Sequence, residues 1–465
     1  MIENRKPKIG LLGIMHGLYD EKQPEITGMQ ESWARQVADV LSDVADIDFP
    51  RAAKSRHDIE CIVRDFNRNA YDGILLIMLL YSPGLRLVRA LEENRLPLML
   101  ANVQPLPVVT SDWDWQKLTT NQGIHGIQDT ANMVLQAGIR PTIVTENWNN
   151  AAFKERFTDW ARAAMTASAL KSMRLAVFGR MKGMGDIVGD EGVILRKLGV
   201  EINHEGIGQI IACMEKVSGS AIRSQIAEDR ENFKVMDDVT ADMHEYAARM
   251  QLGFEKFLTD NHYDGFSANF DSFREDGRFK QINMLAASNL MAKGYAYSNE
   301  GDVHSAMLVG AAHVLVGAAH FTEMYSLDFE KDSALMCHMG EGNWRIARKD
   351  RPIRLINREL EIGGLSNPPT VVFSAQPGPS TLVSLASIRG AEHRFIVSEG
   401  TILDTEELVG VPMPYFHFRP TVGIRKAMDS WLMHGGTHHE VLNLGHHSRR
   451  WRILSDILGA QWIEI

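Results

Sequence analysis

Lys8-Ile-Gly-Leu-Leu-Gly-Ile14 is the stretch whose reading decides the fold. It is apolar throughout, too short for a helix and without polar alternation, so it reads as a strand buried on both faces, as in a parallel sheet covered by helices. A loop carrying His16 follows, then a helix from about Glu25 to Ser42. Two more buried runs, Gly73-Ile-Leu-Leu-Ile-Met-Leu-Leu80 and Leu96-Pro-Leu-Met-Leu-Ala101, flank a helical stretch from Leu85 to Asn94. The order is βαβ and predicts a doubly wound sheet, in which loops beyond the strand ends hold ligands. His16 and Tyr81 fall in such loops.

The pattern restarts near Ser172, where Arg174-Leu-Ala-Val-Phe178 predicts another strand. Gly179, Gly183, Gly185 and Gly189 follow it. Their GxGxxxG spacing departs from the GxGxxG of dinucleotide-binding turns, so the loop reads as a turn that brings backbone close to a ligand. Helices around Ile222–Ala227 and Glu245–Asp260, a strand near Gly265–Phe270 and a helix from Ile282 to Lys293 complete a second α/β unit. The last third changes character. Pro369–Ser374, Ser380–Leu385 and His393–Ser398 are short, β-branched and separated by Gly/Pro turns, which predicts an antiparallel, barrel-like region. Short helices are expected at Asp429–Met433 and Trp451–Leu458. The predicted class is α/β: two doubly wound parallel-sheet domains, residues 1–170 and 171–318, then a β-rich domain, 319–465, containing an antiparallel barrel.

Composition narrows the function. The 465 residues carry a net charge of −10, which disfavours a nucleic-acid partner, since that needs a basic surface. No apolar run approaches the roughly 18 residues that span a bilayer. The first residues lack a signal-peptide core, and three scattered cysteines (Cys61, Cys213, Cys337) support neither a disulfide framework nor a cysteine zinc site. A cytoplasmic protein acting on a small molecule is expected. Histidine is the unusual residue: five of the 17 lie between His434 and His447.

Four segments carry candidate chemistry. Glu300 and Asp302 stand where the apolar helix Ala306–Val316 should begin; a carboxylate there also suits the helix dipole. Glu323 sits in His320-Phe-Thr-Glu-Met-Tyr325, where a buried carboxylate needs a cation or a donor. His338 interrupts the run Ala334-Leu-Met-Cys-His-Met-Gly340, and a core histidine would look the same. Gly435-Gly-Thr-His-His439 lets backbone approach closely before a histidine pair. Asn443 stands where an HExxH zinc motif starting at His439 would need its second histidine. Two carboxylates and two imidazoles form a mixed O/N set suited to Mn²⁺, Co²⁺, Fe²⁺ or Mg²⁺.

In this order the segments resemble the L-arabinose isomerase family, with its GEGD, F-x-E-x-Y, His-Met and GG-x-HH patterns. Gly13-Ile-Met-His-Gly-Leu-Tyr19 is similar to that family's first loop, Tyr81-Ser-Pro83 to its F-S-P segment, Asn121-Gln122 with His125-Gly126 to its N-Q-x-x-H-G segment, and Ile362-Gly-Gly364 to its I-G-G turn. The resemblance implies three domains and a divalent cation, Mn²⁺ first, held by Glu300, Glu323, His338 and His439. It also implies a homo-oligomer, a hexamer before a tetramer, with active sites at subunit interfaces. His16, Tyr81, Gln122 and His125 would bind substrate across that interface, and Met184, Phe270 and His438 would line the pocket. The chain departs from the family at Met15 and Gly17, at Tyr81 in place of phenylalanine, and after His338, where Met-Gly-Glu-Gly replaces Met-Leu-Glu-Val.

The implied reaction is aldose–ketose isomerisation, L-arabinose to L-ribulose, with Glu300 and Glu323 as the acid–base pair of an enediol mechanism. A hydride shift is the other route to the same product. The competing readings are isomerisation or epimerisation of another pentose or a tetrose, a metal-dependent aldolase, and a cytoplasmic sugar-binding protein.

Overall fold

The computed structural model describes residues 5–21, 23–360, 364–389 and 391–465. Ile362 and Gly363 of the I-G-G turn lie outside the described residues.

The chain divides into two compact units. Residues 5–168 with 449–457 form one; 169–448 with 458–465 form most of the other. The first holds five parallel strands: β1 (Lys8–Ile14), β2 (Asp46–Asp48), β3 (Gly73–Met78), β4 (Leu98–Asn102) and β5 (Thr142–Thr145). Their order is β2-β1-β3-β4-β5. The chain therefore turns from one side of β1 to the other, and the crevice of such a sheet opens beyond the carboxyl ends of β1 and β3. All six residues of β3 are buried, as its unbroken apolar sequence requires. The late helix Ser448–Leu458 joins this unit rather than the barrel it follows in sequence: Arg450 Nε donates to Asp159 Oδ1 at 2.6 Å.

The second unit begins with a parallel sheet of β6 (Arg174–Phe178), β7 (Glu201–His204), β9 (Gly265–Ala268) and β10 (Ala296–Asn299), ordered β10-β9-β6-β7. The two-residue β8 (Lys234–Val235) belongs elsewhere, in a small sheet with β13 (Arg354–Asn357) and β14 (Pro369–Val372). Pro369–Val372, expected beside the barrel strands, is thus set apart from them. The helix Val303–Leu315 is apolar almost all round because it is enclosed between this sheet and the barrel.

The barrel uses β11 (Ala319–Asp328), β12 (Ser333–Cys337), β15 (Gly378–Ile388), β16 (Glu392–Ile402), β17 (Tyr415–Pro420) and β18 (His439–Leu444). Antiparallel pairings run β15-β18-β11-β12-β17-β16, and β16 pairs back to β15, closing the ring. Closure removes exposed strand edges. A last strand, β19 (Gln461–Glu464), adds parallel to β16.

Candidate active site

The site is built where the loop after β10 meets the barrel wall. Glu300 has φ +64°, in the left-handed region that costs a residue with a Cβ about 1 kcal/mol or more. Three backbone links hold it there. Its N–H donates to Ala268 O (3.2 Å) and to Asn299 Oδ1 (2.8 Å), and its carbonyl accepts from Met181 N (2.8 Å). Gly301 follows at φ +84°, and a Cβ there would lie 2.7 Å from Arg180 Cα and from Gly179 O. The loop thus rests on the glycine-rich turn after β6.

Asp302 finishes the loop with two tasks. Oδ1 accepts from His304 N (3.0 Å) and Ser305 N (3.1 Å), capping the buried helix. Oδ2 lies 3.0 Å from His439 Nδ1. That contact fixes the imidazole so that Nε2 faces Glu300 Oε2 at 3.3 Å.

The barrel supplies the remaining members through register. On β11, Glu323 stands opposite His439 of β18 and Cys337 of β12. Directly opposed residues on neighbouring strands share a face. His338 follows Cys337 and closes on the same place. Phe321, two residues before Glu323 and on its face, packs its ring 4.7 Å from the His338 ring and 4.8 Å from the His439 ring. Glu341 Oε1 lies 3.1 Å from His338 Nδ1 and accepts from Tyr297 Oη (3.0 Å) and Asn299 Nδ2 (2.9 Å).

Among the described residues, two groups have ligand atoms mutually within 4.8 Å: Glu323, His338 and His439, and Glu300, His438 and His439. The four expected ligands therefore converge as two triads sharing His439, with His438 added. His438 lies 3.9 Å from Glu300 Oε2 and is held by Asp186, whose Oδ2 meets its backbone N at 2.9 Å and its Nδ1 at 2.7 Å. Met184 lies in the same loop as Asp186, and Phe270 begins the helix after β9.

Electrostatics show what the cluster lacks. Burial opposes ionisation of Glu300, but His438, His439 and His338 hold its carboxyl well below the usual range. Burial likewise opposes charge on His439, yet Asp302 and Glu300 raise it to about 9. Burial, with Glu323 nearby, pushes Glu440 well above the carboxylate range. The carboxylates draw positive charge inward. Meanwhile His439 Nε2 is buried without a hydrogen-bond partner among the described residues. An orphaned imidazole nitrogen whose other nitrogen is bound by a carboxylate is the arrangement of a metal-ligating histidine. The residues fit a divalent cation.

The other expected contacts lie in the first unit, beyond the crevice strands. His16 N donates to Tyr81 O at 3.1 Å, joining the loops after β1 and β3. Its Nδ1 accepts from Leu18 N (2.9 Å), and Arg86 Nη2 stands 2.8 Å from Nε2. Gln122 Oε1 accepts from Tyr19 Oη at 3.1 Å, and His125 lies in the first turn of the helix Ile124–Gln136. Sequence reading did not assign Glu341 or Asp186 a role and saw Asp302 only as a helix-end carboxylate. The three-residue spacing from His338 to Glu341 was the available signal for the first; nothing in sequence links Asp186 to His438.

Models of the L-arabinose isomerase N-terminal, central and C-terminal domains match residues 16–172, 174–318 and 318–461. An L-arabinose isomerase of Nocardioides sp. is 31% identical over 84% of this chain and 80% of its own. Those of Aeromonas hydrophila and Clostridium beijerinckii are each 26% identical, over 88% and 95% of this chain and 84% and 93% of theirs. Fold, site and relatives together define an aldose–ketose isomerase. The chain belongs to the L-arabinose isomerase family.

Proposed function

We propose that the protein is a divalent-cation-dependent isomerase interconverting an aldopentose and its ketose, with L-arabinose and L-ribulose the first pair to assay. The observation that carries this is the convergence of Glu300, Glu323 and His338 on His439, whose Nε2 is unpartnered while Asp302 holds Nδ1. Glu300, Glu323, His338 and His439 would hold the ion, Mn²⁺ before Co²⁺, Fe²⁺ or Mg²⁺. The cation supplies Lewis-acid stabilisation of charge developing on the sugar oxygens.

The chain's own groups do the rest. Asp302 selects the His439 tautomer and leaves its Nε2 for the ion, while Glu341 Oε1 stands 3.1 Å from Nδ1 of His338. One of Glu300 and Glu323 takes the proton from C2 and returns it to C1, while the other passes the hydroxyl proton between O1 and O2. Asp186 fixes His438 at the rim, where it lines the pocket with Met184 and Phe270. We further propose a cytoplasmic homo-oligomer, a hexamer before a tetramer, in which His16, Tyr81, Gln122 and His125 serve a neighbouring subunit's site. The contact between the two loops that carry His16 and Tyr81, at a sheet crevice, supports that role.

The test is metal removal and return. Dialysis against a chelator should abolish ketose formation from L-arabinose, and Mn²⁺ should restore it. Full turnover by metal-free protein would end this reading.

A further inference from the structure

His438 and His439 are held by the same device, yet only His439 has a place in the ligand set above. Asp302 Oδ2 lies 3.0 Å from Nδ1 of His439, and Asp186 Oδ2 lies 2.7 Å from Nδ1 of His438. A carboxylate on one ring nitrogen, with the other left for an ion, is how metal-ligating histidines are oriented. Both Nε2 atoms approach one oxygen: Glu300 Oε2 is 3.3 Å from that of His439 and 3.9 Å from that of His438. The second distance is too long for a hydrogen bond. It does suit donors around a common cation. With bonds of about 2.1 Å, neighbouring ligand atoms of an octahedral ion stand about 3 Å apart and opposed ones about 4.2 Å.

The place of His438 is built into the fold. The turn before it is fixed from several sides. A Cβ on Gly436 would lie 2.2 Å from Trp431 Nε1, which donates to Thr437 O at 3.1 Å. Thr437 N donates to Ser384 Oγ at 3.1 Å, and Thr437 Oγ1 donates to His439 O at 2.6 Å. His438 N then donates to Asp186 Oδ2 at 2.9 Å, so one carboxylate holds both backbone and ring. The pair differs in access. The His439 side chain is fully buried, whereas that of His438 is 35% exposed.

We propose that His438 is a fifth cation ligand in the sugar-free protein and the one that a sugar oxygen displaces. This rests on the cation-dependent isomerase reading and deepens it, since there His438 only lines the pocket. An octahedral ion such as Mn²⁺ has six positions. Five protein ligands leave one of them, and a sugar bound through O1 and O2 needs two. His438, the more exposed of the histidine pair and the more distant from Glu300, is the one to give way. Asp186 keeps the ring beside the site for its return.

The experiment uses the full-length protein loaded with Mn²⁺, with and without L-arabinitol, a polyol that has no carbonyl to isomerise. Electron spin-echo envelope modulation counts the imidazole nitrogens bound to the ion, and titration calorimetry gives Mn²⁺ affinity. The count should be three without the polyol, from His338, His438 and His439, and two with it. His438→Gln should show two in both states and bind Mn²⁺ about tenfold or more weakly. Asp186→Asn keeps the ligand but loosens it, should weaken Mn²⁺ binding severalfold, and serves if His438→Gln does not fold. Two imidazoles in the sugar-free wild type, or unchanged Mn²⁺ affinity in His438→Gln, overturns the proposal and leaves the isomerase reading standing. Three imidazoles with the polyol bound overturns the displacement. Failure of the wild type to bind Mn²⁺ at all overturns the cation reading itself.

Discussion

Glu300 and Glu323 reach the same imidazole by opposite strategies. Glu300 is placed by a strained loop whose conformation is set by its immediate neighbours: Asn299 below, Gly301 and Asp302 above, and the turn after β6 behind. Glu323 needs no unusual backbone. It is a strand residue whose position comes from pairing with two strands, one of them over a hundred residues away. The loop concentrates information in four consecutive residues; the barrel spreads it over a register. Asp302 is where the two meet, because one carboxylate both ends the loop and orients His439.

The largest expected effect tests chemistry on the barrel side. Glu323→Gln keeps the register and the side-chain volume, so the fold should persist while kcat falls about 10²–10⁴-fold, the range for loss of a positioned acid–base group. Near-wild-type turnover with metal bound would remove Glu323 from the mechanism. The joint comes next. Asp302→Asn retains an oxygen for the helix cap but no longer fixes the His439 tautomer as a carboxylate does. Cation affinity should drop about 10–100-fold, with the melting temperature little changed. Equal affinity in both proteins would show that His439 is oriented by packing alone.

Gly301→Ala probes the loop without touching a charged group. A methyl group 2.7 Å from Arg180 Cα, on a backbone at φ +84°, forces the turn to move. Stability should fall by roughly 1–3 kcal/mol, and kcat should fall with it because Glu300 is displaced. If the variant loses stability but keeps kcat, the loop tolerates movement that the comparison says it cannot.

The same contrast explains what was legible in sequence. β1, β3 and β6 declare themselves as unbroken apolar runs because both faces are covered. β2 and β5, at the sheet edges, read Asp-Ile-Asp and Thr-Ile-Val-Thr, with too little apolar character to stand out. Glu300 and Asp302 could be placed at a helix start because the cause is local. The meeting of Glu323 with His439 could not be derived from spacing, since barrel closure and strand register are long-range facts; only the family resemblance suggested it. His338 reads as a strand residue but lies just past the end of β12, which frees it to turn toward the cluster.

The smallest expected effect compares the two faces of β11. Phe321 and Glu323 face the cluster, whereas His320, the residue before Phe321 and so on the opposite face, meets the rings of Phe373 and Phe416 at 6.0 and 5.7 Å. Its Nδ1 accepts from Asn343 N at 3.1 Å, which requires that nitrogen unprotonated. Burial lowers its pKa to about 3. An unfolded histidine titrates near 6.5, so between these values the unfolded chain binds the extra proton. The contribution of His320 is therefore complete above about pH 6.5 and is lost as pH falls toward 3. Replacing it by Gln removes the titration, although the altered packing lowers stability at every pH. The readout is accordingly the slope of unfolding free energy from pH 6.5 down to 4.5, measured in urea. It should be shallower in His320→Gln by at most one proton, about 1.4 kcal/mol per pH unit. Parallel slopes would mean that water reaches His320 in the native barrel, and that the interior face of β11 is no drier than the face that holds Glu323.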